Sequence, residues 1–371
     1  MKFLLVASFP DSVLAFRGPL IAALSGHGLD VHVAAPNLAM GSPIRTRLEA
    51  NGVVVHNIPF TRTGTNPVAD IGLIWNLLAL MRSVRPDLVL SYTIKPVIYG
   101  SLAAWLARVP FRFVLITGLG YAFTGARGGW LTKLIPWLYR FALGRVTKAF
   151  FQNPDDETLF RLLNILSFRT PSCVINGSGV DVSEFDVAPL PVGPPRFLLI
   201  ARLLGDKGVR EYAQAARRIR SAHPGAQCTI AGWIDSNPDA IKQTELDAWV
   251  AEGGIEFLGR LSDVRPAIAH SSVYVLPSYR EGTPRTVLEA MAMGRPIITT
   301  DAPGCRETVV EGDNGFLVPV KSVDALVAAM ERFILEPELI PRMGARSRQI
   351  AEEKYDVHKV NAVMLREMGI Q

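Results

Sequence analysis

Phe197-Leu-Leu-Ile-Ala201 is a run of five apolar residues that leads directly into Arg202-Leu-Leu-Gly-Asp-Lys207-Gly208, and a helical pattern begins near Val209. An apolar run without polar alternation is typical of a parallel strand that is covered on both faces. Strand, tight turn and helix together form the repeating unit of doubly wound α/β sheets. We therefore expect a parallel sheet here, with Arg202 at the carboxyl end of a strand and Lys207 at the start of a helix.

The same alternation of short strands and helices continues along the chain. The predicted strands of the first half are Phe3–Val6, Val31–Ala35, Val53–Ile58, Leu88–Ser91, Phe113–Thr117, Ala149–Phe151 and Val174–Ile175, and its predicted helices lie near Pro19–Ser25, Ile71–Val84, Val97–Ala107, Trp130–Val146 and Asp155–Leu163. The other predicted strands of the second half are Cys228–Ala231, Ile255–Leu258, Val273–Leu276, Ile297–Thr300 and Gly315–Val318. The pattern predicts two doubly wound α/β units with sites at the carboxyl ends of their strands, in a cleft between them.

The domain boundaries are predicted from length and from proline content. A chain of 371 residues suggests two domains, at roughly 150 residues each. Val187–Pro195 contains four prolines and one glycine, which predicts a stiff connector. We expect a first domain over 1–188 and a second that begins at 189, with a last helix over Val357–Met368.

Charge is distributed unevenly along the chain. Residues 1–150 hold 15 Lys+Arg against 5 Asp+Glu, a net charge of +10, whereas the remainder holds 24 against 29, a net charge of −5. A pI near 9.2 would ordinarily suggest nucleic acid. The basic residues of the first half are scattered arginines between apolar stretches, without basic runs. This pattern argues against nucleic-acid binding and indicates that the first half contacts an anionic surface or substrate.

Composition also limits the compartment and the class. Apolar residues make up 49% and charged residues 20%, which excludes disorder through excess charge. The sequence contains no run of 18 apolar residues, so no membrane-spanning helix is predicted. The apolar start Met1–Val6 ends before Pro10, which favours a buried strand over a signal peptide. Three separated cysteines (Cys173, Cys228, Cys305) fit a reducing cytoplasm.

The most informative motif is Glu281-Gly-Thr-Pro-Arg-Thr-Val-Leu-Glu289-Ala-Met-Ala-Met-Gly-Arg-Pro296. Thr283 is a suitable N-cap and Pro284 a suitable first helical residue, so the next three amides would form an anion site for a diphosphate. Glu281 and Glu289 could hold two hydroxyl-bearing parts of one ligand. An ordinary helix with solvated acids remains the alternative.

Two other patterns bear on the ligand. Arg202 and Lys207 are the residue types that bind phosphate oxygens, although such a turn also occurs on ordinary surfaces. Gly118-Leu-Gly120 and Gly177-Ser-Gly179 lack the third glycine of a dinucleotide fingerprint, which argues against a dehydrogenase.

Arg202-x-x-x-x-Lys207-Gly208 combined with Glu281-Gly-x-Pro-x-x-x-x-Glu289 resembles the retaining glycosyltransferases of family 4. Their architecture of two Rossmann-like domains is called GT-B, and in such proteins the C-terminal helix crosses back to the first domain. The resemblance thus implies a second domain over 189–352 and a separate final segment over 353–371. The resemblance covers nearly the whole chain, including Phe16–Leu20, Gly26–Val31 and Phe257–Val264.

The resemblance implies a role for each matching residue. Arg202 and Lys207 would bind the donor diphosphate, Glu281 the transferred sugar and Glu289 the ribose. Catalysis would rest on Glu281, Arg202 and Lys207. The remaining donor-binding residues would be Gly18 in a tight loop, Arg260 and Leu261 against the base, Gly282 and Thr283 at the sugar, and Thr286 and Val287 at phosphate.

No metal and no cofactor are expected, because the chain contains no Asp-x-Asp and because Arg, Lys and helix amides can neutralise a departing diphosphate. Many relatives carry a histidine after the strand that corresponds to Phe113–Thr117, where this chain reads Thr117-Gly118. Backbone at Gly118 or the side chain of Lys95 would take its place.

Ser91-Tyr-Thr-Ile-Lys95-Pro96 and Thr117-Gly-Leu-Gly-Tyr121-Ala-Phe123 resemble the bacterial subgroup that adds N-acetylgalactosamine to undecaprenyl-diphosphate-linked sugars. This implies Arg17 and Lys95 as candidates for the acceptor diphosphate. The aromatic, basic segment Gly129–Lys148 would lie against an anionic membrane, which places the protein peripherally on the cytoplasmic face.

The expected activity is metal-independent, retaining α-glycosyl transfer from a UDP-sugar to a polyprenyl-diphosphate-linked saccharide, in bacterial glycan assembly. Open alternatives are a GDP-sugar donor, a non-lipid acceptor, or a non-catalytic membrane-surface assembly protein that retains the fold. A sugar-nucleotide 2-epimerase shares the architecture, but the motifs do not offer the acids and histidines that it needs.

Overall fold

The chain folds into two units, seen in a computed structural model that describes residues 1–59, 67–118, 130–235 and 237–370, of which 67–68 and 130–133 are described by their backbone alone. One unit comprises Met1–Ser178 with Val360–Gln371, and the other comprises Gly179–Lys359. Tyr121, Phe123 and Gly129 of the predicted acceptor and membrane segments lie outside the described residues.

The first unit is built on a seven-stranded parallel sheet. Its strands are β1 (Lys2–Val6), β2 (Asp30–Ala35), β3 (Val54–Asn57), β4 (Leu88–Tyr92), β5 (Phe111–Ile116), β6 (Lys148–Phe151) and β7 (Ser172–Val174). Its helices are α1 (Pro10–Gly26), α2 (Pro43–Ala50), α3 (Pro67–Val84), a π-helical turn (Pro96–Gly100) that leads into α4 (Ser101–Leu106), α5 (Trp130–Leu143) and α6 (Pro154–Leu162). The strand order is β3-β2-β1-β4-β5-β6-β7, so the order reverses between β1 and β4.

Helices cover both faces of this sheet. In β1, Phe3 and Leu5 pack on the α1 side, while Leu4 and Val6 pack on the side of α3 and α4. All four side chains are inaccessible to solvent. An unbroken apolar strand is therefore required, as the sequence predicted.

The second unit repeats the plan with six parallel strands. These are β8 (Arg196–Leu203), β9 (Gln227–Ile234), β10 (Glu256–Phe257), β11 (Val273–Leu276), β12 (Ile297–Thr300) and β13 (Gly315–Val318), in the order β10-β9-β8-β11-β12-β13. The helices are α7 (Val209–Ala222), α8 (Gln243–Ala251), α9 (Arg265–Ala269), α10 (Arg285–Ala292), α11 (Val323–Leu335), α12 (Leu339–Ile350) and α13 (Val357–Glu367). Here the order reverses between β8 and β11.

The last helix begins in one unit and ends in the other. The amide of Val357 donates to Val180 O at 3.0 Å, within the second unit. Further along, Met364 and Met368 enter the apolar cluster of the first sheet, and Lys148 pairs with Glu367 at 2.7 Å. The predicted return of this helix to the first domain is confirmed.

The units divide at other positions than the sequence suggested, at 178/179 and 359/360 rather than at 188/189 and 352/353. Phe185 and Tyr355 belong to an apolar cluster of the second unit, which fixes both segments there. The fully buried Arg295 donates to Ala188 O at 2.8 Å and Pro189 O at 3.0 Å. The start of the proline-rich connector is thus fastened to the second unit.

The predicted start of the first helix and the predicted loop at Gly18 need correction. The first helix begins at Pro10, well before the predicted Pro19, and Gly18 lies inside it. The expected tight loop at Gly18 is therefore wrong. The helix can begin as early as Pro10 because proline is tolerated in the first turn.

Across the described ranges, no helix has the length and apolar character that crossing a bilayer requires.

Candidate functional site

The predicted donor residues of the second unit lie where its strand order reverses. Arg202 is near the carboxyl end of β8, and the loop that carries Glu281 follows the adjacent β11. In open parallel sheets this reversal leaves a crevice, and ligands bind there. The two loops therefore meet at the edge where a ligand site is expected.

The turn after β8 is held against the end of β11. Gly208 has φ +67°, and a Cβ there would lie 2.1 Å from Pro277 O. The amide of Tyr279 and the hydroxyl of Ser278 donate to Asp206 O at 2.8 and 3.1 Å. Only glycine fits this contact, which explains the Lys-Gly pair of the motif.

This packing brings Lys207 to Glu281. Lys207 Nζ lies 2.6 Å from Glu281 Oε1, and the two side chains are only 14% and 17% exposed. The residue predicted to bind phosphate and the residue predicted to bind the sugar thus contact each other directly. A phosphate oxygen that binds Lys207 would compete with, or share, the position of this carboxylate.

The loop of Glu281 is fixed through its backbone. The amide of Glu281 donates to Pro303 O at 2.9 Å. A Cβ at Gly304, whose φ is +81°, would meet Glu281 O at 2.2 Å and Gly282 O at 2.5 Å. The backbone of Glu281 and Gly282 is thereby held beside a second segment, in which Cys305 follows Gly304. Burial raises the pKa of the Cys305 thiol to about 12, and the negative charge of Glu281 adds to this.

Arg202 has a carboxylate partner that the sequence did not suggest. Its guanidinium lies 3.0 Å from Asp235 Oδ2, beyond the end of the neighbouring strand β9. Arg202 itself belongs to β8, one residue past the predicted strand end. Asp235 lies outside both motifs, so only the pairing of β8 with β9 reveals it.

The predicted base-binding residues follow β10. The guanidinium of Arg260 lies 4.8 Å from the centre of the Trp233 ring, and Leu261 packs against an apolar cluster of the second unit. Gly259 O accepts a hydrogen bond from the amide of Gly232 at 2.8 Å, which fixes this loop to the end of β9. Arg260 and the exposed Trp233 present flat, polarisable surfaces of the kind on which a base can stack.

The helix start differs from the prediction by one residue. Pro284 is the N-cap and Arg285 the first residue of α10, so Thr283 lies outside the helix. The amides of Val287 and Leu288 both donate to Pro284 O, at 3.1 and 3.3 Å. The Val287 amide thus already has an acceptor at the start of α10, and its contact with phosphate stays a prediction.

The hydroxyl of Thr286 ties α10 to the central strand. It donates to Ile200 O at 3.3 Å, and the buried hydroxyl of Tyr274 donates to the same carbonyl at 3.0 Å. These bonds fix the first turn of α10 relative to β8. The start of α10 is thereby held at the edge where the strand order reverses.

Glu289 is buried inside α10, one turn after Arg285. Its Oε1 accepts from Arg285 Nε at 2.8 Å, and its side chain is 8% exposed. Burial raises the pKa of Glu289, while the charge of Arg285 opposes that shift. A carboxylate in such a place favours partners that donate hydrogen bonds, such as a pair of ribose hydroxyls.

The predicted acceptor residues of the first unit are both engaged. Arg17 is buried on α1 with its guanidinium 5.3 Å from the centre of the Tyr92 ring. Lys95 Nζ lies 2.8 Å from Asp70 Oδ1, and Tyr99 donates to the other oxygen of Asp70 at 2.9 Å. The structure thus partners Lys95 with a carboxylate that sequence reasoning missed.

Two family models match this chain, together over most of its length. Residues 17–169 match the glycosyl transferase 4-like domain, and residues 194–336 match the glycosyl transferases group 1 model. These matches confirm the predicted glycosyltransferase family and show that the protein is a glycosyltransferase.

Curated relatives are similar over much or nearly all of the chain. A Campylobacter jejuni N,N'-diacetylbacillosaminyl-diphospho-undecaprenol alpha-1,3-N-acetylgalactosaminyltransferase is 27% identical over 92% of this chain and 91% of its own length. An Escherichia coli UDP-Gal:alpha-D-GlcNAc-diphosphoundecaprenol alpha-1,3-galactosyltransferase is 27% identical over 71% of this chain and 70% of its own.

Among solved structures, Anabaena HepE in complex with UDP aligns over 100% of both chains, with a TM-score of 0.79 and 19% identity. At that identity the likeness shows the fold alone, which is GT-B, with two parallel-sheet Rossmann-like domains.

Proposed function

The chain belongs to the glycosyltransferases, with a 4-like domain followed by a group 1 domain. We propose that it transfers a sugar from a UDP-sugar to a polyprenyl-diphosphate-linked saccharide with retention of the α configuration. The observation that carries this proposal is the pairing of Lys207 with Glu281 at the crevice between β8 and β11. Relatives named for undecaprenyl-diphosphate acceptors, one of them also for a UDP-Gal donor, support this choice of substrates.

The chemistry requires that charge on the departing diphosphate be neutralised. Arg202 and Lys207 supply two fixed cations, and the amide end of α10 adds its partial positive charge. Their present partners, Asp235 and Glu281, hold both cations in place before the donor arrives. A preorganised site of this kind stabilises the leaving group without moving at the moment of reaction.

In the proposed reaction, the bond between the anomeric carbon and the UDP oxygen breaks as the acceptor hydroxyl attacks from the same face. The hydroxyl proton passes to the departing phosphate oxygen, and UDP leaves. Glu281, freed from Lys207 by the diphosphate, would bind the transferred sugar. Glu289 would bind the ribose hydroxyls, and its burial makes those hydrogen bonds strong.

The first unit carries features that suit a lipid-linked acceptor. It holds 18 Lys+Arg against 9 Asp+Glu, a net charge of +9, over residues 1–178 and 360–371. Helices α3, α4 and α5 cover one face of its sheet and expose Trp75, Trp105 and Trp137, at 63%, 42% and 58%. Exposed tryptophans on a basic domain favour the interface of an anionic bilayer.

Vesicle binding tests the membrane part of the proposal. We expect sedimentation with phosphatidylglycerol vesicles and little with phosphatidylcholine vesicles. Replacing Trp105 and Trp137 together with serine should release the protein, whereas Trp233→Ser in the second unit should not. Retention of the double variant on the anionic vesicles would contradict this face as the anchor.

Product analysis tests the activity. The protein is incubated with a panel of UDP- and GDP-sugars and a short polyprenyl-diphosphate-saccharide, and the products are identified by mass. We expect one UDP-sugar to extend the acceptor. Extension from a GDP-sugar only, or of a free saccharide as fast as of the lipid-linked one, would overturn the proposed substrates.

A further inference from the structure

At the carboxyl edge of the first sheet, Thr93 joins a strand to a helix in an unusual conformation. Strand β4 ends at Tyr92, helical backbone begins at Ile94, and Thr93 between them has φ +70°. A β-branched residue is rarely found there, and such strain persists only where the surroundings enforce it. The π-helical turn Pro96–Gly100 follows directly, a second irregularity of a kind that occurs frequently at functional sites.

The hydroxyl of Thr93 is held across the point where the strand order reverses. Ser8 follows β1, and its Oγ lies 2.6 Å from Thr93 Oγ1. Strands β1 and β4 are paired neighbours, with Val6 opposite Ser91. Ser8 is buried and Thr93 is half-buried, so the pair presents a hydroxyl at the crevice where parallel sheets bind ligands. A sharp strand-to-helix turn exposes a side-chain oxygen above a sheet in this way.

The cation two residues after Thr93 has a carboxylate partner. Lys95 is paired with Asp70, and these side chains are only 12% and 13% exposed. Tyr99 donates to the remaining oxygen of Asp70. The edge around Thr93 therefore offers hydroxyl groups and a neutralised cation. Because both Lys95 and Tyr99 hold Asp70, its carboxylate stays beside the cation and would repel a diphosphate. Sugar hydroxyls, which donate and accept at once, suit such an edge.

We propose that Thr93, supported by Ser8, binds a hydroxyl of the acceptor saccharide and orients it for transfer. This inference rests on the proposed function, since it assumes a saccharide acceptor. It assigns the acceptor's sugar, rather than its diphosphate, to the edge beside Lys95.

Three variants test the assignment. Thr93→Val removes the hydroxyl and keeps the shape, while Thr93→Ser keeps the hydroxyl. The matched control is Thr147→Val, at the opposite edge of the same sheet, where the Thr147 hydroxyl accepts from the amide of Arg112 at 2.9 Å. For each protein the KM of the acceptor, the KM of the donor and the thermal midpoint are measured.

We expect Thr93→Val to raise the KM of the acceptor by about tenfold, the effect of one lost hydrogen bond, with the KM of the donor unchanged. Thr93→Ser should stay near wild type, and Thr147→Val should change only the thermal midpoint. An unchanged acceptor KM in Thr93→Val, or equal shifts for donor and acceptor, would overturn the inference while wild-type transfer stands. Absence of transfer by the wild type to any saccharide would overturn the proposed function as well.

Discussion

Removing the charge of Glu281 should raise UDP affinity, whereas removing the charge of its partner Lys207 should lower it. In the ligand-free protein the two groups are 2.6 Å apart and largely shielded from water. A hydrogen bond to a charged group contributes about 1.5–3 kcal/mol, and a neutral one about 1 kcal/mol. Glu281→Gln should therefore lower the free-energy cost of separating Lys207 from residue 281 by about 0.5–2 kcal/mol, which corresponds to a gain of about 2- to 30-fold in UDP affinity.

Lys207→Met should have the reverse effect. It removes a charge-assisted contact to phosphate and leaves the Glu281 carboxylate facing the diphosphate, so UDP affinity should fall by about 100-fold. Transfer should be low in both variants, because Glu281→Gln also loses the charge that binds the sugar.

Isothermal titration with UDP measures both effects. The control is Glu367→Gln, which alters the Lys148–Glu367 pair of the first unit, at 2.7 Å, and should leave UDP affinity unchanged. If Glu281→Gln and Lys207→Met weakened UDP binding alike, the pair would be a purely structural contact and the diphosphate would bind elsewhere.

Three more perturbations follow from the second unit. Gly208→Ala should lower the thermal midpoint and the UDP affinity, since the left-handed backbone alone costs an alanine about 1–2 kcal/mol and its Cβ would clash with Pro277 O. The control is Gly28→Ala, at φ +76° with open space around the new Cβ, which should show only the cost of the backbone conformation. Arg295→Met removes donors to five backbone carbonyls and should destabilise the protein by about 4 kcal/mol in urea unfolding, with UDP affinity at low temperature retained. Burial raises the pKa of Glu289, so the contribution of Glu289 to the free energy of unfolding should fall as pH rises through its pKa in the folded protein. UDP affinity should rise over the same pH range, because the ionised carboxylate accepts hydrogen bonds. In Glu289→Gln the pH dependence of UDP affinity should disappear.

The sheets were predictable because their core strands are short and mostly apolar, and helical patterns separate them. Strands Val273–Leu276 and Ile297–Thr300 have the predicted bounds, since every residue in them is buried. Helix α2 (Pro43–Ala50) was missed because Leu48 is its only buried residue, so it carries no apolar periodicity. The start of α1 was missed because prolines at both Pro10 and Pro19 obscure the helical pattern.

Local motifs identified much of the candidate site, and tertiary pairing supplied the rest. Lys207 and Glu281 are far apart in sequence, but each belongs to a recognisable strand-to-loop motif. Asp235 and Asp70 belong to no motif, and only the pairing of β8 with β9 and the packing of α3 reveal them as partners of Arg202 and Lys95. Carboxylate partners of this kind depend on the whole fold rather than on spacing.

The anomeric configuration of the product tests the central claim most directly. After incubation with an α-linked UDP-sugar and the lipid-linked acceptor, the new glycosidic bond is assigned by nuclear magnetic resonance. Retaining transfer through Arg202, Lys207 and Glu281 predicts an α linkage that is formed by the wild type and nearly lost in Lys207→Met. A β linkage, or an α product formed equally by that variant, would contradict the account.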